Sequence, residues 1–153
     1  MNGKTSMRFR APIPFEPSHP DALAMYCSDG RFTHAVEALL AELGYPRLDT
    51  LTVPGGPAVL SIATASLGTF DVVRNALSFL VTGHAIAHVV LIAHDSCGYY
   101  KQRFPYESAE AMHRRQVGDL EAASKWIRGE HRKVEVTKFF ARRDEHVEFE
   151  RIE

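Results

Sequence analysis

The run His88-Val89-Val90-Leu91-Ile92-Ala93 ends in His94, and three residues later comes Cys97. A short, β-branched apolar run of this kind fits a strand buried on both faces of a parallel sheet. Ligands of such sheets bind outside the carboxyl ends of the strands, which is where His94 and Cys97 would stand. A second apolar run, Ala22-Leu23-Ala24-Met25-Tyr26, delivers Cys27 in the same way and is followed by Ser28-Asp29-Gly30-Arg31. These are the chain's two cysteines. The expectation is that Cys27, His94 and Cys97 meet around one zinc ion. On composition alone, a pair of inert buried thiols is the alternative. A structural disulfide does not suit a chain with no secretion signal.

The rest of the chain places these strand ends. Residues 22–27, 48–53, 88–93, 133–140 and 146–152 read as strands. Residues 32–43, 66–82 and 106–128 read as helices, with apolar stripes through Phe32, Val36, Leu39, Leu40 and Leu43, then Leu67, Phe70, Val73, Leu77, Leu80 and Val81, then Met112, Val117, Leu120, Ala123 and Ile127. Gly44 and Gly83 read as helix stops. Strands alternating with helices imply a three-layer α/β fold with a mostly parallel sheet. The last strand alternates cleanly, and the short polar link before it pairs it antiparallel with the fourth, as an edge. Pro54-Gly55-Gly56-Pro57 is a turn whose small residues allow a close approach, either as a plain loop or as a lining of the pocket. Pro12, Pro14, Pro17 and Pro20 exclude a helix across residues 11–20. Residues 1–20 are therefore an extended arm, either free or laid over a partner subunit, and residues 21–153 form one domain.

At 153 residues with a formal net charge of −1, the chain has no general pull toward nucleic acid or anionic membrane. It has no apolar run of the roughly 18 residues that a membrane span needs. Arg8 and Arg10 have no apolar segment behind them, so the N-terminus does not read as a secretory signal, and a cytoplasmic location is expected.

Structural zinc sites are closed by four protein ligands, whereas catalytic sites use three and leave a position for water. Two thiolates and one imidazole make three, with Asp29 as a nearby carboxylate. Arg31, two residues on, can pair bidentately with Asp29, keeping it ionised and off the metal. The carboxylate can then orient zinc-bound water, whose pKa zinc lowers to about 7. Asp95 and Ser96, between two ligands, either orient them by hydrogen bonds or cap the loop. The other histidines (His19, His34, His84, His88, His113, His131 and His146) match no ligand spacing and read as surface or capping residues. Tyr99, Tyr100 and Phe104 line a substrate tunnel or pack in a core or dimer contact.

Cys27-Ser28-Asp29-Gly30-Arg31 and His94-Asp95-Ser96-Cys97-Gly98 resemble the two signatures of the β-class carbonic anhydrases, Cys-x-Asp-x-Arg and His-x-x-Cys-Gly. The likeness covers about residues 22–152. It implies a four-stranded parallel core with one antiparallel strand, assembled as a homodimer or higher multiple. It also implies Cys27, His94 and Cys97 as zinc ligands, Asp29 and Arg31 as a catalytic dyad, and hydration of CO2 to bicarbonate by zinc-bound hydroxide. In some members the aspartate itself fills the fourth zinc position until the arginine pairing relieves it.

The chain departs from the family at four places. Gly30 stands where the family usually has Ser, and Val53-Pro54-Gly55-Gly56-Pro57-Ala58 stands where it commonly has Arg-Asn-Ala-Gly. Tyr99 and Tyr100 replace small residues, and a proline-rich arm replaces the N-terminal helices. Two other readings therefore stand beside CO2 hydration. One is hydrolysis of a related cumulated substrate such as carbonyl sulfide or carbon disulfide; the other is a non-catalytic zinc-binding or regulatory protein. Nucleotide binding at Gly55-Gly56 lacks any G-x-G-x-x-G or Walker pattern.

Overall fold

The computed structural model describes residues 7–153. Its elements run β1 (Ala22–Cys27), α1 (Thr33–Glu42), β2 (Asp49–Val53), a 3-10 helix (Gly56–Leu60), α2 (Leu67–Gly83), β3 (His88–His94), α3 (Gly98–Arg103), α4 (Ala109–Glu130), β4 (Glu135–Arg143) and β5 (Val147–Ile152). The five strands form one sheet in the order β2-β1-β3-β4-β5. The first four are mutually parallel, and β5 runs antiparallel to β4, pairing Phe140 with Glu150 and Ala141 with Phe149. This is the expected α/β sheet, with its antiparallel strand at the expected edge.

Alternation along the strands divides the core into two layers. Leu23 and Met25 of β1 and Val89, Leu91 and Ala93 of β3 pack under Val73 and Leu77 of α2 and Leu120, Ala123 and Ile127 of α4. Ala24, Tyr26, Val90 and Ile92 face the other way, against Phe32, Val36 and Leu40 on the α1 side. β1 and β3 are buried on both faces, which is why neither shows a polar alternation. Each fully buried Leu, Ile, Val or Met stabilises the fold by roughly 1.5–3 kcal/mol relative to exposure.

Several local expectations are corrected. The helix expected over residues 106–128 begins at Ala109, where the Ser108 hydroxyl accepts from the Ala111 N–H. A separate short helix, α3, precedes it. Gly83 is the last residue of α2 and His84 its C-cap, and it is Ala85 that takes the left-handed backbone (φ 56°). Gly44, by contrast, has φ 92° immediately after α1, as a helix stop should. Leu43 and Leu67 are exposed despite their places in the apolar stripes. The Pro-Gly-Gly-Pro turn opens directly into the buried 3-10 helix and is no plain loop.

Of the arm expected over residues 1–20, residues 1–6 lie outside the described residues, and residues 7–20 carry no helix or strand. Met7, Phe9, Ile13 and Phe15 are exposed there. The base of the arm is tied down: Arg47 donates to the Ser18 carbonyl and hydroxyl, both at 2.9 Å, and His19 stacks on His84 at 3.8 Å.

Candidate metal centre

β1 and β3 are neighbours in parallel register, with Tyr26 opposite Ile92, so their carboxyl ends deliver Cys27 and His94 side by side. Cys97 caps the start of α3. One potential ligand atom from each of Cys27, His94 and Cys97 lies within 4.8 Å of the other two. This is the only such group of three or more among the described residues, and Asp29 is not part of it. All three side chains are buried.

The donor set fits zinc. The two sulfurs are 3.9 Å apart; sulfurs each about 2.3 Å from a tetrahedral zinc are about 3.8 Å apart. His94 Nδ1 lies 2.7 Å from the Asp95 carbonyl oxygen and donates its proton there. That bond fixes the tautomer and leaves Nε2 as a lone-pair donor. Nε2 is fully buried and has no hydrogen-bond partner. A buried, unpartnered imidazole nitrogen beside two thiols costs free energy unless something ligates it.

Backbone amides support both sulfurs. The amides of Gly55 and Asp29 favour a thiolate on Cys27, and those of Tyr99 and Tyr100 favour one on Cys97. The Cys97 thiol's bond to Cys27 is the largest influence holding Cys27 down to about 4. The same bond, together with burial, pushes Cys97 up. Without metal the two sulfurs therefore share one proton.

Asp29 and Arg31 form the expected fork. Arg31 Nε donates to Oδ1 at 2.9 Å, Nη2 to Oδ2 at 2.5 Å, and the Arg31 backbone N–H to Oδ1 at 3.2 Å. The Arg31 side chain is the main cause holding the Asp29 carboxyl down to about 2. Gly30, between them, has nothing within 4 Å of where a Cβ would stand. A side chain there would meet no clash.

The remaining residues singled out from the sequence fall into place as packing and support. Asp95 orients His94 through its carbonyl, while its carboxylate accepts from the Arg143 backbone N–H and Nε, both at 3.1 Å. Ser96 takes the left-handed backbone (φ 52°). Tyr99 packs on Gly55, Tyr100 is buried and donates to Asp119, and Phe104 lies under the Arg115 guanidinium. A cavity of about 490 Å³ borders Cys97, Met112, His113 and Phe140, but neither Asp29 nor Cys27 lines it. The other histidines stand outside the cluster, and most have partners of their own, such as His84 with Asp49 and His88 with Glu135. Two buried residues of α4, Gln116 and Asp119, escaped the sequence reading. The available signal was a polar pair on the inward side of a helix.

A family model described as putative carbonic anhydrase matches residues 18–152. The chain belongs to this family. No curated protein matches its sequence. Among solved structures, it is similar to the β-carbonic anhydrase CafD of Aspergillus fumigatus, with a TM-score of 0.58, 9% identity, and 94% of this chain and 95% of that one covered. It is also similar to one of two tetrameric β-carbonic anhydrases of Sordaria macrospora, with a TM-score of 0.55, 16% identity, and 88% and 81% covered. A third, the Coccomyxa β-carbonic anhydrase in complex with acetazolamide, has a TM-score of 0.53 and 13% identity, with 82% and 68% covered. At these identities the structural likeness establishes the β-carbonic anhydrase fold. Within this carbonic anhydrase-like fold, the cysteine–histidine–cysteine cluster lies at the carboxyl ends of the parallel strands, as the topology requires. No helix among the described residues is long and apolar enough to cross a membrane.

Proposed function

We propose that the protein catalyses the reversible hydration of CO2 to bicarbonate and a proton, with zinc held by Cys27, His94 and Cys97. The observation that carries this reading is the buried, unpartnered Nε2 of His94 beside two sulfurs at zinc-ligand separation. Zinc at such a site supplies a Lewis acid that brings the pKa of a water to about 7. Asp29, ionised and forked by Arg31, accepts a hydrogen bond from the attacking water and orients its lone pair toward the carbon. Arg31 would hold the carboxylate off a zinc bound by Cys27, His94 and Cys97, so that water rather than Asp29 could bind there. His94 keeps its tautomer through Asp95, and the amides around the two sulfurs stabilise them as thiolates.

Residues 21–153 form the catalytic domain, and residues 7–20 are an arm that is either free or laid over a second subunit. The assembly is a homodimer or a higher multiple, working in the cytoplasm. Stopped-flow hydration of CO2 by zinc-loaded protein, with the zinc content measured, tests the reading. A rate above buffer that is lost in Asp29→Ala with zinc retained supports it. One zinc per chain with no rate above buffer between about pH 7 and 9 leaves a metal-binding protein without this activity.

A further inference from the structure

The inward face of α4 carries two polar side chains shut off from water, Gln116 at 2% exposure and Asp119 at 4%. A buried amide or carboxylate costs free energy unless its hydrogen bonds are made, so the partners indicate what such residues hold. Gln116 Nε2 donates to the His94 carbonyl oxygen at 2.6 Å. Asp119 Oδ2 accepts from the Tyr100 hydroxyl at 2.6 Å, and the Thr64 hydroxyl lies 2.8 and 3.0 Å from the two carboxylate oxygens.

Each partner leads to a different member of the metal cluster. With Gln116 on the His94 carbonyl and His94 Nδ1 on the Asp95 carbonyl, the His94–Asp95 and Asp95–Ser96 peptide groups, on either side of Asp95, are both fixed. The imidazole then has one direction left for Nε2. Tyr100 lies in α3, whose N-cap is Cys97, and the two pack in one buried cluster, so Asp119's hold on the Tyr100 hydroxyl fixes the helix that starts at Cys97. Thr64 bonds back through its amide to Ser61, just past the 3-10 helix, and the first residue of that helix rests on the Cys27 backbone. The end of β3, the short helix that follows it and the more distant Thr64 thus converge on two side chains one helical turn apart.

We infer that Gln116 and Asp119 are positioning residues that preset the Cys27–His94–Cys97 geometry before metal arrives; this rests on the zinc reading above. Apolar residues of the same size would fill the same space. What they would not do is hold the strand-end carbonyl and the Tyr100 hydroxyl in place.

The test uses the full chain, reduced and metal-free. Zinc affinity is measured by competition with a chelator, the cobalt(II) form is examined by absorption, and the thermal midpoint of the metal-free protein is recorded. The variants are Gln116→Met, Asp119→Asn and Tyr100→Phe. Wild-type protein that takes up no cobalt or zinc overturns the metal reading and this inference together. If the wild type binds, Gln116→Met and Asp119→Asn are expected to lose roughly 10–100-fold in zinc affinity and to shift the cobalt spectrum. Tyr100→Phe is expected to alter the thiolate-to-cobalt charge-transfer bands. Affinity within about twofold of wild type and an unchanged spectrum, with only the thermal midpoint lowered, would show that the pair merely supports the fold. Should either α4 variant fail to fold, Tyr100→Phe decides by the same two readouts.

Discussion

Gly56 and Cys27 are in backbone contact: a Cβ on Gly56 would stand 2.7 Å from the Cys27 amide nitrogen. Gly56 also has φ 52°. Both the backbone sign and the space therefore demand glycine, and what Gly56 approaches so closely is the segment bearing a metal ligand. Gly56→Ala is expected to destabilise the protein by about 1–3 kcal/mol and to push Cys27 out of line with His94 and Cys97. Denaturant unfolding and zinc content measure the two effects. A variant as stable as wild type with full zinc would contradict the contact.

Arg31→Ala separates orientation from charge. Asp29 is held down to about 2, chiefly by the Arg31 side chain. For a depressed carboxyl, the stabilising contribution is present above the unfolded pKa of about 3.9 and is lost as pH falls through the folded value. At pH 7 to 8 the carboxylate is ionised with or without the arginine. A loss of CO2 hydration there must come from misplacement, and roughly 10–100-fold is expected, with zinc retained. Carbon-detected titration of the Asp29 carboxyl should show its pKa rising toward the ordinary range in the variant. An unchanged rate would remove Arg31 from the dyad.

The strands and the cluster were legible in the sequence because burial on both faces leaves a compositional mark. Val89 to Ala93 can be little else than a central strand, and a cysteine or histidine just past such a run has nowhere to go but the carboxyl edge of the sheet. The Asp29–Arg31 fork was legible because it is local. Gln116 and Asp119 were not, since their bonds to His94, Tyr100 and Thr64 span 19 to 55 residues, and helical periodicity assigns polar residues to solvent. The stripe was drawn through Val117, which is half-buried, in place of its neighbour Gln116. Leu43 is exposed for a different reason: it is the C-cap of α1, beyond the last helical residue, where the helical period no longer sets which way a side chain faces. α3, six residues long, is too short to show a period at all.

The shared proton of the cysteine pair has a spectroscopic consequence. In reduced, metal-free protein, ultraviolet thiolate absorbance should report one thiolate already formed at neutral pH, because Cys27 is held down to about 4, mainly by its bond from Cys97. The second thiolate should appear only well above the ordinary thiol range, since Cys97 is pushed up by that same bond and by burial. Cys97→Ala, which removes the donor, should move Cys27 up toward the usual value of about 8.5 and reduce the neutral-pH signal. Two thiols titrating together near that value would mean that the sulfurs are not in contact without metal.

Ser96 and Ala85 both take the left-handed backbone, at φ 52° and 56°, and neither is glycine. A side chain in that region costs roughly 1–2 kcal/mol, partly offset on replacement by the greater chain entropy of glycine. Ser96→Gly and Ala85→Gly should therefore each leave the metal-free protein as stable as wild type or up to about 1 kcal/mol more stable. Their effects on metal binding should differ. Ala85 lies between α2 and β3, whereas Ser96 joins His94 to Cys97 and holds the two at one separation. Glycine there lets the loop sample other shapes, so Ser96→Gly should weaken zinc while Ala85→Gly leaves it unchanged. Parallel unfolding and chelator-competition measurements on the two variants check this, and equal zinc affinities would show that the strained serine has no part in setting the site.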